Sequence, residues 1–230
     1  MKLSIMQPYF FPYIGYFQLI NAVDKFIFYD DVNYINRGWV NRNKILINNE
    51  PRYLTVSLKE ASQNKTINQI EFIDNRYKML KTIQMAYTRA PYFKDAFPVI
   101  EECFNLDTIC ISALNIYSIQ KVCHYLEIKT IFERSGRTYP ETKPLGRTER
   151  VVSICKTNNV DTYINAIGGK EIYSKQDFEN QGVKLLFLKP EIVEYTQYWN
   201  LFLPWLSIID VIMFNKVSYI KEMLNHYKLE

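Results

Sequence analysis

Two adjacent carboxylic acids, Asp30 and Asp31, follow an apolar run that ends at Tyr29. A carboxylate at the end of a strand can remove a proton as a general base, or it can hold a metal ion. Two like charges side by side favour protonation of one of them, which suits a base that works near neutral pH. We therefore predict Asp30 and Asp31 as catalytic residues; a solvated strand end is the alternative interpretation.

A short segment rich in basic and amide side chains comes soon after the two acids. It supplies four candidate substrate-binding residues: Arg37, Asn41, Arg42 and Lys44. Guanidinium groups bind phosphate or carboxylate through paired hydrogen bonds, and an ammonium group adds a point charge. The segment is predicted to hold an anionic part of the substrate, although a basic face open to solvent gives the same pattern.

Two further loops carry candidate binding residues. Gln7 and Tyr9 lie in the loop at residues 7–12, which two prolines hold stiff. Gly168 and Gly169 follow another apolar run, and paired glycines let a backbone approach a ligand and offer N–H groups to an anion. Three nearby cations could supply countercharge: Arg147, Arg150 and Lys156. A loop that only covers the core and an ordinary turn are the alternatives.

Asp210 interrupts a nearly apolar segment at residues 206–215. A buried carboxylate without a partner is costly, so Asp210 either faces a polar site or pairs with an arginine. We count it among the candidate binding residues, with a structural ion pair as the favoured alternative.

Several common mechanisms find no support in the sequence. With His124 and His226 as the only histidines, a zinc site built from several histidines is not expected. Cys123 and His124 are neighbours, and neighbours on a helix do not face each other as a nucleophile and its base must. Neither a P-loop nor the glycine fingerprint of dinucleotide-binding proteins occurs. No metal site is predicted, and the cofactor is left open.

Strands and helices in alternation must position these residues. Apolar runs at 3–6 and 25–29 flank a segment with helical spacing at 13–23, which predicts a strand, helix, strand unit with parallel strands. Ligands of open parallel sheets bind beyond the carboxyl ends of the strands. The candidate loops after these runs are therefore expected to converge.

The rest of the chain predicts a hairpin, a helical middle and a return to alternation. Asn and Pro turn signals place an antiparallel hairpin at 43–47 and 52–58. Helices are predicted at 74–89, 92–104, 107–126, 148–156, 207–215 and 218–227, and strands at 129–132, 160–164 and 183–188. The fold class is thus α/β: a mostly parallel, doubly wound sheet with an inserted β-hairpin and a helical middle region.

Composition indicates one compact globular domain over residues 1–230, with a division into 1–135 and 136–230 left open. Hydrophobic residues make up 48% and charged residues 23% of the chain, which argues against extended disorder. Unpaired cysteine spacing, no signal peptide and no span of about 20 apolar residues favour a soluble cytoplasmic protein. A net charge of +4 is too small to indicate specific nucleic-acid binding.

Long blocks of the sequence carry a family resemblance. The segments 5–17, 29–32 and 37–43, together with 163–169 and 206–215, resemble the WbqC-like protein family. Members of that family are associated with bacterial O-antigen and related surface-polysaccharide gene clusters, and glycine transfer has been proposed for some. The resemblance implies an enzyme that decorates an amino sugar attached to a nucleotide. It brings no established catalytic residues.

A second likeness concerns the start of the first helix. Residues 12–20 resemble the His-x-Gly-His helix start of nucleotidylyltransferases and pantothenate synthetase, in which two histidines bind ATP phosphates. Tyr13 and Tyr16 stand in those two positions and are further candidate binding residues. Because neither position holds a histidine, the likeness implies the fold rather than the adenylating chemistry.

The family resemblance implies transfer of an acyl or aminoacyl group, with glycine as the leading candidate, to the amine of a sugar nucleotide. Asp30 or Asp31 would take the amine proton. Three donors stay open: an aminoacyl-tRNA, a thioester, and an amino acid with ATP. The alternatives are a non-catalytic binding or scaffolding protein of the same pathway and an ATP-dependent amide ligase with a nucleotidylyltransferase-like fold.

Overall fold

A computed structural model describes residues 1–198 and 201–230 of the chain. Its strands are β1 (Lys2–Met6), β2 (Lys25–Phe28), β3 (Arg42–Ile47), β4 (Glu50–Thr55), β5 (Leu58–Lys59), β6 (Glu71–Phe72), β7 (Ile131–Arg134), β8 (Thr162–Ala166), β9 (Lys184–Pro190) and β10 (Tyr227–Leu229). Its helices are α1 (Ile14–Asn21), α2 (Arg76–Tyr87), α3 (Phe93–Phe104), α4 (Ile111–Tyr125), α5 (Ser135–Thr138), α6 (Arg147–Thr157), α7 (Lys175–Glu179), α8 (Ile208–Phe214) and α9 (Val217–Met223).

The central sheet has six strands in the order β10-β9-β8-β1-β2-β7. Five of them are parallel, and β10 pairs antiparallel with β9 at one edge. Counted along the chain and read from β7, this is the order 3-2-1-4-5-6 of dinucleotide-binding folds. The order in which the strands are added across the sheet reverses between β1 and β8, so a crevice is expected at the carboxyl ends of those two strands.

Both faces of the sheet are covered. Leu3 and Ile5 pack on one face in a hydrophobic cluster with residues of α6 and α7. Phe26 and Phe28 belong to a second, larger cluster that includes α1 and the helical middle region. Successive strand residues point to opposite faces, so the nearly continuous apolar runs are what a doubly covered parallel sheet requires. The predicted α/β class with a mostly parallel sheet is confirmed.

The inserted hairpin and the three middle helices are confirmed, with ends that shift by a few residues. Strands β3 and β4 form the hairpin, and α2, α3 and α4 form the helical middle. The predicted helix at 218–227 is wrong at its end, because α9 stops at Met223 and Tyr227 begins the edge strand β10. Three residues are too few for strand alternation to show in a sequence.

None of the helices within residues 1–198 and 201–230 combines the length and the apolar character that crossing a membrane requires.

Candidate functional site

A cleft of about 1010 Å³ opens where the strand order reverses. Gln7 after β1, Tyr29 after β2 and Asn165 near the end of β8 all line it. Drug-sized and cofactor-sized ligands usually bind in clefts of this size, and the reversal point is where sheets of this order bind them. This cleft is therefore the candidate functional site.

The lining combines aromatic rings, amides and charges. The aromatic residues are Tyr9, Tyr13, Tyr16, Tyr29, Trp39, Tyr173 and Trp205. The amide side chains are those of Gln7, Asn33, Asn43 and Asn165, and the charged residues are Asp31, Lys143, Arg147 and Arg150. Rings with polar ends and a few fixed charges are typical of sites for amphipathic, anionic ligands such as nucleotides and sugar phosphates.

The loop at residues 7–12 is fixed by buried amides as well as by its prolines. Asn43 donates hydrogen bonds to the carbonyl groups of Phe10 and Phe11, at 3.2 and 2.8 Å, and Asn115 donates one to Pro8 at 2.9 Å. These bonds hold Phe11 in the left-handed region, at φ 37°, where a bulky residue is rarely found. The loop therefore presents Gln7 and Tyr9 to the cleft in a rigid frame.

Asp31 lines the cleft as half of a buried ion pair. Its carboxylate accepts hydrogen bonds from Arg150, at 2.6 Å, and from the hydroxyl of Ser135. Both charged side chains are only 5% exposed. The Arg150 guanidinium also lies over the ring of Tyr29, 4.7 Å from its centroid, and donates to Thr142. Asp31 thus fixes a cation on the wall of the cleft.

Asp30 points away from the cleft lining, although it is next in sequence. Its carboxylate accepts from Arg134, at 2.7 Å, and from the backbone N–H of Gly136, at 3.0 Å. A side chain at Gly136 would lie 3.1 Å from that carboxylate, so a glycine is suited to the position. Each acid therefore has its own arginine, although the Ser135 hydroxyl lies within hydrogen-bond distance of both carboxylates. These partners lie about a hundred residues away in the chain, and no local pattern predicted them.

Lys143 and Arg147 place two further cations on the cleft, at and just before the start of α6. Both are exposed, and neither forms an ion pair within the parts of the chain that the structure describes. Of the predicted countercharges, Arg147 and Arg150 line the cleft and Lys156 does not. Lys143 was missed, because a lysine in a polar loop carries no distinguishing signal.

Two tyrosines beside these cations, Tyr29 and Tyr173, can donate hydrogen bonds from their hydroxyl groups. Burial raises the pKa of Tyr173 to about 12, with the charge of Arg147 opposing the shift. Burial also raises the pKa of Tyr29, which Arg150 and Arg147 oppose. Both hydroxyl groups are consequently protonated at neutral pH, so they can donate to a bound anion.

The four residues of the basic segment that were predicted to bind the substrate do not line the cleft. Arg42 and Lys44 lie over the ring of Tyr53, on the face of β3 opposite to Asn43. Side chains alternate along a strand, so the same strand that sends Asn43 toward the cleft turns its two cations away from it. The predicted convergence of these cations with the acids around one ligand is therefore not found.

The two other candidate residues of that segment, Arg37 and Asn41, also do not line the cleft. Arg37 is exposed, and its carbonyl group accepts a hydrogen bond from Arg42. Asn41 accepts from the hydroxyl of Tyr34 at 3.2 Å and donates to the carbonyl of Val56 at 3.0 Å. Asn41 therefore has a structural role at the base of the hairpin.

Gly168 and Gly169 both line the cleft, in a turn of 3-10 helix that follows β8. A side chain at Gly169 would come within 2.5 Å of the Asn165 amide, whereas nothing lies within 4 Å of one at Gly168. Glycine is thus required at position 169, where a side chain would collide with the Asn165 amide. At position 168 a side chain would meet only open space.

Asp210 lies in the core rather than on the cleft. It is fully buried and accepts hydrogen bonds from Tyr87 at 2.9 Å, Tyr195 at 2.6 Å and Gln197 at 2.7 Å. The favoured ion pair with an arginine is wrong, because neutral donors take its place. Burial raises the pKa of Asp210 to about 6 despite these three bonds.

Asp210 should make the stability of the protein depend on pH. The raised pKa means that the folded state keeps a proton that the unfolded state loses between about pH 4 and pH 6, so the free energy of unfolding falls as pH rises through that window. The expected loss is on the order of 3 kcal/mol, and it is constant above about pH 6. Urea denaturation of wild type and Asp210→Asn checks this, since the difference between their stabilities should change across that window. Parallel curves for both proteins would contradict it.

Among the described residues that line the cleft, Asp31 is the only carboxylic acid. In the described parts of the chain, no group of three or more His, Cys, Asp and Glu side chains could hold a metal ion. The cleft can accordingly bind an anion, stack rings and accept a proton at Asp31, which two hydrogen bonds leave with free lone pairs.

Comparison with known proteins gives two matches. The chain is 26% identical over 216 residues to the protein of Mycobacterium tuberculosis called "Uncharacterized protein Rv1507c", and the alignment covers 92% of each chain. No solved structure matches significantly. The model of the WbqC-like protein family matches residues 7–222, which include the loop at 7–12, both acids and the cations of α6. The chain belongs to the WbqC-like protein family.

Proposed function

We propose that the cleft binds an amino sugar linked to a nucleoside diphosphate, and that the protein transfers an acyl or aminoacyl group to the sugar amine. Glycine is the leading candidate for the transferred group. The reaction would serve the synthesis of a bacterial surface polysaccharide such as O-antigen, in the cytoplasm. One observation carries the proposal: at one wall, the crevice at the strand-order reversal has cations without an ion-pair partner among residues 1–198 and 201–230, with aromatic rings around them.

The charges on the cleft suit a diphosphate. Lys143 and Arg147, which have no acidic partner in the part of the chain that the structure describes, can bind phosphate oxygens, and Arg150 stands beside them in an orientation that Asp31 fixes. Hydroxyl groups of Tyr29 and Tyr173 add neutral donors to the same wall. The neighbouring rings offer flat surfaces to a base or a sugar. In this proposal these cations bind the anionic part of the substrate, a role that the sequence pattern predicted for Arg37, Arg42 and Lys44.

Transfer to an amine needs a base. The sugar nitrogen attacks the carbonyl carbon of the donor, a carbon–nitrogen bond forms, and the bond from that carbon to the leaving group breaks. Asp31 is better placed than Asp30 to take the amine proton, because Asp31 lines the cleft and Asp30 does not. The rigidly held Gln7 is a candidate donor to the developing oxyanion.

The proposal is tested by a product assay. Purified protein is incubated with UDP-glucosamine and, in turn, glycyl-tRNA, a glycyl thioester, or glycine with ATP, and the sugar nucleotide is analysed by mass spectrometry. A gain of one glycyl unit with one donor, lost in Asp31→Asn, is expected. If a panel of acyl groups and amino-sugar nucleotides gives no product, transfer is refuted.

A second candidate is an ATP-dependent amide ligase. One observation favours it: Tyr13 and Tyr16, which stand where nucleotidylyltransferases carry phosphate-binding histidines, both line the cleft at the start of α1. Product formation that needs ATP and releases AMP would identify this reaction. Saturable binding of the sugar nucleotide without any product would instead favour a binding or scaffolding role.

A further inference from the structure

A group of basic and aromatic side chains, three of them exposed and two half-buried, lies beside the cleft on the hairpin and the loop before it. We call it the platform: Arg37, Trp39, Arg42, Lys44 and Tyr53. The rings of Trp39 and Tyr53 are 43% and 49% exposed, and their centroids lie 6.5 Å apart. Arg42 and Lys44 stand over the Tyr53 ring, at 4.5 and 5.4 Å from its centroid.

The register of the hairpin builds the platform. Lys44 lies directly opposite Tyr53 in the β3–β4 ladder, and Arg42 lies diagonally across from it. Cross-strand neighbours on one face are close enough for a long cation to cover a ring. The arrangement is therefore fixed by strand pairing rather than by chance contact of mobile side chains.

The positive charge of the platform is uncompensated. Within residues 1–198 and 201–230, Arg37, Arg42 and Lys44 form no ion pair. The one acid of the hairpin, Glu50, pairs with Arg52. A chain with a net charge of only +4 thus places three cations that have no acidic partner among the described residues beside exposed rings.

The platform continues into the cleft. Trp39 belongs to both, and its neighbour Ile35, which is 55% exposed, also lines the cleft. A long ligand that rests on the platform could therefore place its end among the cleft residues. This position suits the donor of the acyl group rather than the nucleotide sugar, whose phosphates the proposed function places against the cations at and just before the start of α6.

We propose that the platform binds the unpaired, single-stranded end of an RNA whose terminal ribose carries the aminoacyl group. The inference rests on the proposed function, and it selects an aminoacyl-RNA from the three donors that the proposed function leaves open. Proteins bind single-stranded nucleic acid by stacking bases on exposed rings while cations hold the phosphates, and this platform has both features side by side. An acidic carrier protein would use the cations but leave the two rings without a stacking partner.

Transfer from this donor forms an amide bond and breaks an ester bond. The sugar nitrogen forms a bond to the ester carbonyl carbon, the ester bond between that carbon and the ribose oxygen breaks, and the RNA leaves with a free hydroxyl. The proton that Asp31 takes from the amine returns to that oxygen. No ATP, oxidant or further reactant is needed.

Binding of a fluorescent RNA with the unpaired end of a transfer RNA tests the proposal. Anisotropy titrations compare wild type with Tyr53→Ala and Arg42→Gln, and we expect binding about tenfold weaker in each variant, because one stacked base or one phosphate contact is lost. Tyr77→Ala is the matched control, since Tyr77 is 76% exposed on α2 and lies under Lys81, 5.7 Å away. That variant should bind RNA like wild type.

A parallel titration with UDP-glucosamine separates this inference from the proposed function. Sugar-nucleotide binding should be unchanged in Tyr53→Ala, because Tyr53 does not line the cleft. Failure of wild type to bind the RNA, an equal loss in Tyr77→Ala, or binding of an acidic acyl carrier protein in place of the RNA would overturn the platform proposal. Failure to bind UDP-glucosamine would count against the proposed function alone.

Discussion

Replacement of Arg150 by methionine is expected to lower the free energy of unfolding by about 3–5 kcal/mol. The change leaves the carboxylate of Asp31 in a place where both partners are only 5% exposed. A buried charge without its counterion keeps the full cost of its lost hydration, and the Ser135 hydroxyl alone offsets little of that cost. Urea denaturation at neutral pH measures the effect.

Two control variants test whether the loss of stability comes from the unpaired buried charge. In Lys59→Met the broken ion pair with Glu71 has side chains 59% and 46% exposed, so stability should change by no more than about 0.5 kcal/mol. In the double variant Asp31→Leu/Arg150→Met no charge is left unpaired, and most of the stability should return. A single Arg150→Met variant as stable as wild type would mean that water reaches Asp31.

Removal of Lys143 and Arg147 together is expected to weaken binding of UDP-glucosamine by about a hundredfold or more. A hydrogen bond to a charged group contributes roughly 1.5–3 kcal/mol, and two such contacts to phosphate would be lost. Both side chains are exposed, so the double alanine variant should keep the stability of wild type. Calorimetric titration gives the affinity.

Lys156→Ala is the matched control, because Lys156 lies on the same helix but does not line the cleft. It removes one of the positive charges of the protein, against two in the double variant, and should leave the affinity unchanged. Equal weakening by both changes would show a general effect of net charge, which salt would screen. Unchanged affinity in the double variant would exclude these cations as the phosphate site.

The sequence predicted the sheet and the convergence of its strand-end loops, but it did not predict which side chains meet. Periodicity and turn signals are local, so the runs at 3–6 and 25–29 and the hairpin could be recognised. Gln7 and Asp31 follow parallel strands, and both reach the cleft as expected. The partners of Asp30 and Asp31 could not be predicted, because they come from β7, α5 and α6 after the long helical insertion.

The basic segment illustrates a different limit. Arg42, Asn43 and Lys44 are consecutive, and charge made the two cations the obvious candidates. Strand alternation places them on the face opposite to Asn43, and only the orientation of the hairpin decides which face meets the cleft. Asp210 was ambiguous for a related reason, since its hydroxyl partners Tyr87 and Tyr195 carry no charge that a sequence pattern could pair with it.

A crystal structure of the protein with UDP-glucosamine tests the central claim most directly, namely that the cleft at the strand-order reversal holds a nucleotide-linked amino sugar. We predict the diphosphate within hydrogen-bond distance of Lys143 and Arg147, and the sugar amine facing Asp31. A nucleotide sugar bound elsewhere on the surface, with the cleft empty at saturating ligand, would contradict the account.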